Sequence, residues 1–348
     1  MAASLPLCTI AEAFAIHDTV VDIRRYGHGR INDTYRVRFR YRKPTILQRL
    51  HPVFGAEVLE DHAHITERGN ACGLELPHII RTRSGALCLE DSGRVWRMLT
   101  FIPGSSFEQP RTITQAEGAA ALVGRFHACG ASDPYRMRHV RPDFHATAGI
   151  LRKLRAVLIA NARSSKWHTL HSLAFAIVCE LEEILREPTW EGFPDRIIHG
   201  DLKFSNVRFD RSGTRAIALL DLDTMANETV LIDLADAARS WANPSGEDDP
   251  DRAHFDDEIF RTMLRGYLKH SELDRDERTA LPNAILRMTL ELAARFATDA
   301  FEESYFRLDR TRYPTLCMQN MFKARTQLAL ARSIRSKRSE IRKIALAS

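Results

Sequence analysis

The first hundred residues contain five short runs in which apolar and polar positions alternate. Alternation with a period of two is typical of half-buried β-strands, and the Gly, Pro, Asn and Asp residues between the runs favour turns. The runs lie at 20–26, 34–39, 45–50, 79–82 and 95–101. We expect them to form one small antiparallel sheet, crossed by a single helix at 56–69 with Val58, Leu59 and Ile65 as its apolar positions.

The pattern changes to a helical period after Pro103 and Gly104, which interrupt regular structure. Thr114 and Glu117 have the spacing of a capping box, so we expect a helix to begin there and to reach residue 126. Further helices are predicted at 145–163, 170–185, 256–268, 282–301 and 317–344. The predicted fold class is α+β with two lobes: a small antiparallel-sheet lobe at 1–102 and a large, mainly helical lobe at 103–348.

Composition and charge exclude several classes of protein. The chain is 44% hydrophobic and 27% charged, as globular proteins are, and no run approaches the ~20 apolar residues of a membrane helix. The net charge of +5 reflects 50 basic and 45 acidic residues, which does not favour a nucleic-acid partner. One basic cluster fits either a solvated helix face or attraction to phosphates or a membrane surface. It comprises Arg332, Arg335, Lys337, Arg338, Arg342 and Lys343.

The cysteines are scattered, without a CxxC pair or a regular spacing, so neither a zinc site nor a disulfide framework is indicated. They are Cys8, Cys72, Cys88, Cys129, Cys179 and Cys317. We expect them to be reduced and mostly buried. Because residues 1–16 also lack the layout of a signal peptide, we expect a cytoplasmic protein.

A non-helical stretch at 195–226 interrupts the helical lobe and carries the strongest motif. It reads His199-x-Asp201-x4-Asn206, and an apolar run at 216–220 then ends in Asp221. Transfer of a phosphoryl group from ATP needs a base for the acceptor hydroxyl and oxygen ligands for magnesium. We predict Asp201 as the catalytic base and Asn206 and Asp221 as Mg²⁺ ligands. Each residue alone has a plain structural alternative as a turn or cap residue.

Two other residues of this region have supporting roles in the prediction. His199 is expected to brace the loop rather than to transfer protons. Asp233 lies between apolar residues in the run LIDLAD, and we interpret it as a buried carboxylate that holds the loop.

The run YGHGRIND at 26–33 lies between two predicted strands. A glycine-rich turn there can place backbone amides over phosphates, although a plain hairpin turn is the alternative. Asn32 replaces a third glycine and tolerates a left-handed backbone better than most residues. The residues predicted to contact the nucleotide here are Gly27, Gly29, Arg30 and Asn32.

The next strand should supply the cation that pairs with the α- and β-phosphates. It contains no Lys, so Arg49 is the candidate, with Glu60 or Glu57 as its helix partner. Adjacent residues of a strand face opposite sides, so a shift of one residue would put Gln48 in that position instead. At the end of the sheet, the backbone from Leu99 to Phe101 is expected to bind adenine.

Glu291, Arg295 and Asp299 recur every four residues in the predicted helix 282–301 and therefore form one stripe. They form either an ion-pair ladder on an exposed face or a surface that recognises a hydroxyl-rich substrate. We predict that Asp201 and these three residues bind the substrate; Tyr305, Arg310 and Asn320 are weaker candidates.

The motifs HGDLKFSN at 199–206 and LLDLD at 219–223 resemble the aminoglycoside phosphotransferase and choline kinase superfamily. Within it, the chain is similar to the N-acetylhexosamine 1-kinase group through stretches that span most of residues 26–306. The resemblance implies a bilobal protein-kinase-like fold, ATP and Mg²⁺. It also implies phosphoryl transfer to the anomeric hydroxyl of a sugar such as N-acetylglucosamine or N-acetylgalactosamine, with Asp201 as the base.

Two alternative functions stay open. The first is a kinase for another small hydroxyl compound, such as an aminoglycoside or an amino alcohol, although the mixed charges of the stripe favour a neutral or anionic sugar. The second is a nucleotide-binding pseudokinase, which the presence of Asp201, Asn206 and Asp221 disfavours. The sequence does not distinguish ATP from GTP.

Overall fold

The computed structural model describes residues 5–27, 31–139, 143–162 and 168–348. Its N-terminal part contains a six-stranded antiparallel sheet with the order β1-β2-β3-β6-β4, in which β5 pairs with β6. The strands are β1 Val20–Arg25, β2 Asp33–Phe39, β3 Thr45–Arg49, β4 Ile79–Ile80, β5 Leu89–Asp91 and β6 Arg94–Thr100.

The two faces of this sheet pack against different helices. Helix α1, Leu7–Glu12, covers one face through a core that includes Ile10, Leu47 and Trp96. Helix α2, Val58–Ala71, crosses the other face. Because strand residues alternate between faces, neighbouring residues of β3 and β6 separate into a set that faces α1 and a set that faces α2.

The larger part of the chain is helical and is organised around the long helix α8. This helix contacts α4, α5, α6, α9 and α10 and is buried along most of its length. The helices are α3 Ile113–Ala131, α4 Thr147–Ala160, α5 His168–Ile184, α6 Val230–Trp241, α7 Asp257–Tyr267, α8 Arg275–Glu302, α9 Leu316–Ser336 and α10 Arg338–Ala347. Two short ladders interrupt them: β7 Arg196–Ile198 with β10 Ala226–Glu228, and β8 Val207–Phe209 with β9 Ala216–Leu219.

The predicted α+β fold, with a small antiparallel sheet followed by a mainly helical part, is confirmed. Several boundaries were wrong. Thr112, not Thr114, caps α3 by accepting the Gln115 N–H. Helix α8 begins seven residues before Pro282, where Asp274 and Glu277 form the capping box. Helix α6 was missed because almost all its residues are buried, which removes the alternation of apolar and polar positions that marks a surface helix.

The expectation that all cysteines are reduced and mostly buried was wrong. Cys72, which follows α2, forms a disulfide with Cys129 of α3, and so joins the sheet part of the chain to the helical part. Cys8 and Cys179 are free and exposed. Widely separated cysteines cannot be paired from sequence alone. The cytoplasmic location therefore loses the support that reduced cysteines gave it and stays a prediction.

The Cys72–Cys129 disulfide closes a loop with a sequence separation of 57 residues. A link of this kind restricts the unfolded chain, so Cys72→Ser is expected to lower the free energy of unfolding by about 2–4 kcal/mol under oxidising conditions. Chemical denaturation with and without a reductant measures this, with Cys179→Ser as the control that removes an exposed free thiol. Equal stability of the wild type in both conditions would contradict the prediction.

The basic cluster near the C terminus lies on α9 and α10 and is largely paired with acidic residues of other helices. Arg335 pairs with Glu180 and Glu183 of α5, and Arg338 pairs with Glu187. These ion pairs favour the interpretation as a helix face over that of a phosphate-binding surface. Among the described residues, no helix is long and apolar enough to cross a bilayer.

Candidate active site

A loop at 199–206 joins β7 to β8 and is held from below by Asp233, in the first turn of α6. The carboxylate of Asp233 is fully buried and accepts the N–H groups of His199 and Gly200, each at 2.7 Å. His127 Nε2 contacts the same carboxylate at 2.9 Å. Burial raises the pKa of Asp233, but hydrogen bonds from His127 and the loop outweigh burial and hold the pKa below its usual value. The predicted role of Asp233 as the anchor of the loop is confirmed.

His199 ties this loop to the strand end that carries Asp221. Its Nε2 donates to the Leu220 carbonyl at 2.8 Å, so its Nδ1 can accept the Asp201 N–H at 3.2 Å. Gly200 has a φ of +80°, and a Cβ at this position would lie 2.2 Å from the Thr224 carbonyl oxygen. The loop therefore needs glycine here, and His199 braces it as predicted.

The Asp201 side chain lies in the loop with two donors on one oxygen. Lys203 Nζ lies 2.7 Å and Asn206 Nδ2 lies 3.1 Å from Asp201 Oδ2. Burial raises the pKa of Asp201, but the Lys203 ammonium outweighs burial, and the pKa falls below its usual value. The carboxylate is therefore ionised at neutral pH and can accept a proton from a neighbouring hydroxyl.

Asn206 contacts this group, and Asp221 lies close enough for the charges of Asp201 and Lys203 to act on it. The Asn206 amide also donates to the Asp201 carbonyl at 2.8 Å, which turns its own oxygen away from Asp201. Asp221 is exposed and has a left-handed backbone with a φ of +63°. Desolvation by the surrounding protein raises the pKa of Asp221, and the negative charges of Asp223 and Asp201 raise it further. An excess of negative charge on oxygen ligands is what a hard divalent cation offsets.

Two residues beyond Asp221, the buried Asp223 joins the helical part of the chain to the sheet. Its two oxygens lie 2.5 and 2.9 Å from the guanidinium of Arg97 on β6, and both side chains are only 1% exposed. Asn32 Nδ2 donates to the same carboxylate at 2.8 Å. Burial raises the pKa of Asp223, and Arg97 lowers it below the usual value. Asn32 therefore contacts Asp223 rather than lying free in the loop, and its φ is not positive.

The strand β3 presents Gln48, not Arg49, to this network. Gln48 pairs in register with Arg97 and accepts from Arg97 Nε at 2.9 Å, whereas Arg49 pairs in register with Trp96 on the opposite face. Arg49 forms an ion pair with Asp33. Arg49 therefore lies on the face of β3 opposite the Arg97–Asp223 pair, and its expected partners Glu57 and Glu60 are exposed. Its assignment to the phosphates stays a prediction.

The other residues predicted at the nucleotide end have different outcomes. Gly27 has a φ of +77°, as a tight turn requires; Gly29 and Arg30 lie outside the described residues. Leu99 lies inside β6 and pairs with Ile46 and Ile79 on either side, so its backbone belongs to the sheet. Phe101 is the first residue beyond β6 and stays a prediction for adenine binding.

The stripe on α8 is buried and not an exposed ladder. Glu291 is 1% exposed and contacts His145 Nδ1 at 3.0 Å, Thr147 Oγ1 at 2.7 Å and Arg295 at 3.1 Å. His145 Nε2 in turn contacts the Gly200 carbonyl at 3.0 Å. Although burial raises the pKa of Glu291, His145 and then Arg295 lower it to about 2. Glu291 therefore supports the loop through His145.

Asp299 is also turned inward. It accepts the backbone N–H groups of Ser304, Tyr305 and Phe306 at 2.7–3.0 Å and the Asn320 amide at 2.8 Å. Its carboxylate therefore closes the turn after α8. Arg295, whose side chain is 19% exposed, is the residue of the stripe with a surface left for a substrate.

The model of the phosphotransferase enzyme family matches residues 22–279, about three quarters of the chain. The chain belongs to this family. The chain is 29% identical over 221 residues to a homoserine kinase of Xanthobacter autotrophicus and 27% identical over 232 residues to one of Rhodopseudomonas palustris. These alignments cover 63% of this chain and 61% and 60% of the relatives, so the chain spans about three fifths of their length.

Solved structures share the fold of this protein along nearly the whole chain. An aminoglycoside phosphotransferase of Alicyclobacillus acidocaldarius has a TM-score of 0.64 at 14% identity, covering 98% of both chains. A microcompartment-associated aminopropanol kinase has a TM-score of 0.64 at 15% identity, covering 95% of this chain and 97% of its own. A spectinomycin phosphotransferase in complex with ADP and spectinomycin has a TM-score of 0.62 at 14% identity, covering 97% and 99%. These likenesses support the fold and not the substrate.

Sequence reasoning assigned no role to three residues of the candidate site: Arg97, Asp223 and Lys203. The signal for Lys203 was present, because a Lys two residues after a candidate base can reach its carboxylate. Asp223 ends the run LLDLD and could have been weighed beside Asp221. Arg97 had no local signal, since its partner lies 126 residues away.

Proposed function

We propose that this phosphotransferase transfers the γ-phosphoryl group of ATP, with Mg²⁺, to a hydroxyl of a small polar molecule. The observation that carries the proposal is the arrangement of Asp201 with Lys203 and Asn206 on one carboxylate oxygen, and Asp221 beside them. This set provides a base and oxygen ligands within one loop and the adjoining strand end, as phosphoryl transfer requires.

In the proposed reaction, Asp201 accepts the proton of the acceptor hydroxyl. Lys203 keeps Asp201 ionised. Burial lowers the pKa of the Lys203 ammonium, but the charges of Asp201 and Asp221 outweigh burial and raise it. Lys203 can therefore also offset negative charge that develops on the transferred group. Gly200 and His199 keep the loop in the conformation that aims Asp201.

The donor set fits magnesium. Asn206 and Asp221 offer amide and carboxylate oxygens, and among the described residues no group of three or more His, Cys, Asp or Glu side chains forms a metal cage. Magnesium in kinases is commonly bound by one or two protein side chains together with substrate phosphates. The chemistry that the ion supplies at such a site is neutralisation of phosphate charge.

At the nucleotide end, we propose that the turn around Gly27, Gly29 and Arg30 covers the phosphates and that the Phe101 backbone contacts the base. Two related folds support a nucleotide here: the spectinomycin phosphotransferase binds ADP, and an amicoumacin kinase binds AMP-PNP. Arg97 and Gln48 replace Arg49 as the polar side chains on the cleft face of β3 and β6.

For the acceptor, we propose a neutral sugar, with an N-acetylhexosamine as the first candidate. The buried charges near Asp201 are compensated within the protein, as Asp236 with Arg239 and Glu291 with His145 and Arg295 show. A binding site for a charged acceptor would need an uncompensated partner. Homoserine or an amino alcohol is the second candidate, because the curated relatives are homoserine kinases.

The test is ATP consumption with Mg²⁺ against free sugars, homoserine, amino alcohols and aminoglycosides, with phosphorus NMR of any product. A sugar 1-phosphate would support the first candidate and its pathway in carbohydrate metabolism. Turnover on homoserine or an amino alcohol alone would keep the mechanism and replace the sugar. Nucleotide binding without turnover on any acceptor would favour a nucleotide-binding protein without transfer activity.

Asp221→Ala is expected to weaken magnesium-dependent nucleotide binding by about tenfold or more, since a charge-assisted interaction contributes about 1.5–3 kcal/mol. Titration calorimetry with a non-hydrolysable ATP analogue, with and without Mg²⁺, measures this. Asp251→Ala, which removes an exposed carboxylate before α7, is the control. If Asp221→Ala retained wild-type affinity with Mg²⁺, Asp221 would not be a ligand.

A further inference from the structure

Helix α6 lies under the catalytic loop and presents polar side chains to it. Asp233 binds the start of the loop, as described above, and Ser240 Oγ accepts the Phe204 N–H at 3.1 Å near its end. Asp236 lies between Asp233 and Ser240 on the same face, because residues three and four apart on a helix are neighbours. Asp236 is therefore beside the middle of the loop, where Asp201 lies.

Arg239 links Asp236 to helix α9. Its Nε and Nη2 both donate to Asp236 Oδ1, at 3.1 and 2.7 Å, and its Nη1 donates to Gln327 Oε1 at 3.3 Å. The other oxygen of Asp236 and the amide nitrogen of Gln327 take no part in these hydrogen bonds. Asp236 Oδ2 and Gln327 Nε2 are buried atoms without a hydrogen-bond partner in the described part of the protein.

Such leftover atoms are costly. Asp236 is 6% exposed and Gln327 is fully buried, and an unsatisfied buried polar atom costs about 1–3 kcal/mol. Folded proteins contain few such atoms, and each calls for an explanation, such as a functional role or a bound water or ion. Here an acceptor and a donor flank the guanidinium of Arg239, and Arg239 lies close enough to Asp201 for its charge to act on that carboxylate.

The charges around this pair are compensated. Arg239 offsets Asp236, and the fully buried Lys323 lies 3.2 Å from Glu247 and 2.8 Å from Asp248. Arg312 also pairs with Asp248, so three cations face three carboxylates. An ammonium would satisfy the oxygen but not the amide donor, and a carboxylate would satisfy the donor but not the oxygen. A hydroxyl both donates and accepts, and therefore satisfies both atoms.

We propose that Asp236 Oδ2 and Gln327 Nε2 bind a second hydroxyl of the acceptor while its reacting hydroxyl lies at Asp201. The phosphotransferase then selects a neutral compound with at least two hydroxyls over a compound with one. This proposal rests on the proposed transfer to a hydroxyl and narrows the class of acceptor.

The test compares the wild type with Gln327→Met, which keeps the side-chain length and removes the donor. The probes are the sugar that is turned over best and its monodeoxy analogues. We expect the wild type to lose about 100-fold or more in kcat/KM for one deoxy analogue, as sites built to bind a hydroxyl do. Gln327→Met is expected to raise KM for the parent sugar about tenfold, equivalent to one hydrogen bond. In this variant, kcat/KM for the deoxy analogue should be less than about tenfold below that for the parent sugar. KM for ATP should be unchanged.

Gln319→Met is the matched control. Gln319 is also fully buried on α9, but both ends of its amide are bonded, to the Asp309 N–H at 2.7 Å and to the Arg307 carbonyl at 3.1 Å. We expect Gln319→Met to lower the melting temperature without changing KM for the sugar. We expect Gln327→Met to raise KM for the sugar without lowering the melting temperature. A fall in melting temperature for Gln327→Met with unchanged sugar KM would overturn the proposal and make Gln327 structural.

The outcomes for the wild type separate the two proposals. Transfer to an acceptor with a single hydroxyl, and to no sugar, would overturn the second-hydroxyl site and keep the proposed phosphoryl transfer. Failure to transfer to any acceptor would overturn both.

Discussion

Asp201→Asn is expected to lower kcat about 10²–10⁴-fold, the range that a general base contributes, while nucleotide binding is retained. The amide keeps the shape of the carboxylate but cannot accept the proton of the acceptor hydroxyl. Lys203 Nζ and Asn206 Nδ2, at 2.7 and 3.1 Å from Asp201 Oδ2, can still donate to an amide oxygen. The loop is therefore expected to keep its conformation.

Steady-state turnover, with the acceptor that the ATP-consumption test identifies, measures kcat. Titration with an ATP analogue measures nucleotide binding. Asp195→Asn, an exposed residue four positions before His199, is the matched control and should behave as the wild type. Turnover of Asp201→Asn within a few-fold of the wild type would remove the base assignment.

The arrangement of the loop at 199–206 could be predicted from sequence because its residues are close along the chain. His199, Asp201 and Asn206 lie within eight residues, and Asp221 ends the next apolar strand. The loop is local, so its spacing already specifies which side chains can meet. The role of Asp233 as an anchor could also be predicted from sequence, since an acid between apolar residues is expected to be buried and to need a partner.

The phosphate-side residue could not be predicted because it depends on strand register. Gln48 and Arg49 differ by one position, and a shift of one residue exchanges the faces of a sheet. In the structure Gln48 pairs with Arg97, and Arg49 pairs with Trp96 on the opposite face. Arg49 forms an ion pair with Asp33, which Arg307 also contacts at 2.6 Å.

The exposed ladder predicted on α8 as one alternative was wrong for a different reason, and substrate binding by the stripe stays a prediction. A period of four places Glu291 and Asp299 on one face but does not say what covers that face. Here His145 and Thr147 cover Glu291, and the turn at 304–306 covers Asp299. Gln327 and Asp236 were missed because unsatisfied polar atoms can be recognised only once their neighbours are known.

Arg97→Met is expected to destabilise the protein by about 3–5 kcal/mol, because it leaves the Asp223 carboxylate buried without its main partner. Of the hydrogen bonds to that carboxylate in the described part of the chain, the one from Asn32 at 2.8 Å would remain. Chemical denaturation measures the loss. Arg38→Met, which removes an exposed arginine from β2, is the control and should change stability by less than about 0.5 kcal/mol. A change that small for Arg97→Met would contradict the buried ion pair.

The double variant Arg97→Met, Asp223→Leu separates stability from function. Replacing both charges of a buried pair by apolar groups of similar size is often neutral or stabilising, so stability should return to near the wild-type value. Asp221, however, holds a left-handed backbone with a φ of +63°, which costs a non-glycine residue about 1–2 kcal/mol. The bonds from Arg97 and Asn32 to Asp223 fix the chain two residues beyond it.

We therefore expect the double variant to fold stably and yet to bind the magnesium–nucleotide complex about tenfold or more weakly, because Asp221 is no longer held in this conformation. Calorimetry with and without Mg²⁺ distinguishes this from a general loss of nucleotide affinity, since only the magnesium-dependent part should fall. A stable double variant with wild-type magnesium dependence would show that the Arg97–Asp223 pair contributes to stability alone. Weakened binding in a stable protein would show that the sheet positions Asp221 through this buried contact.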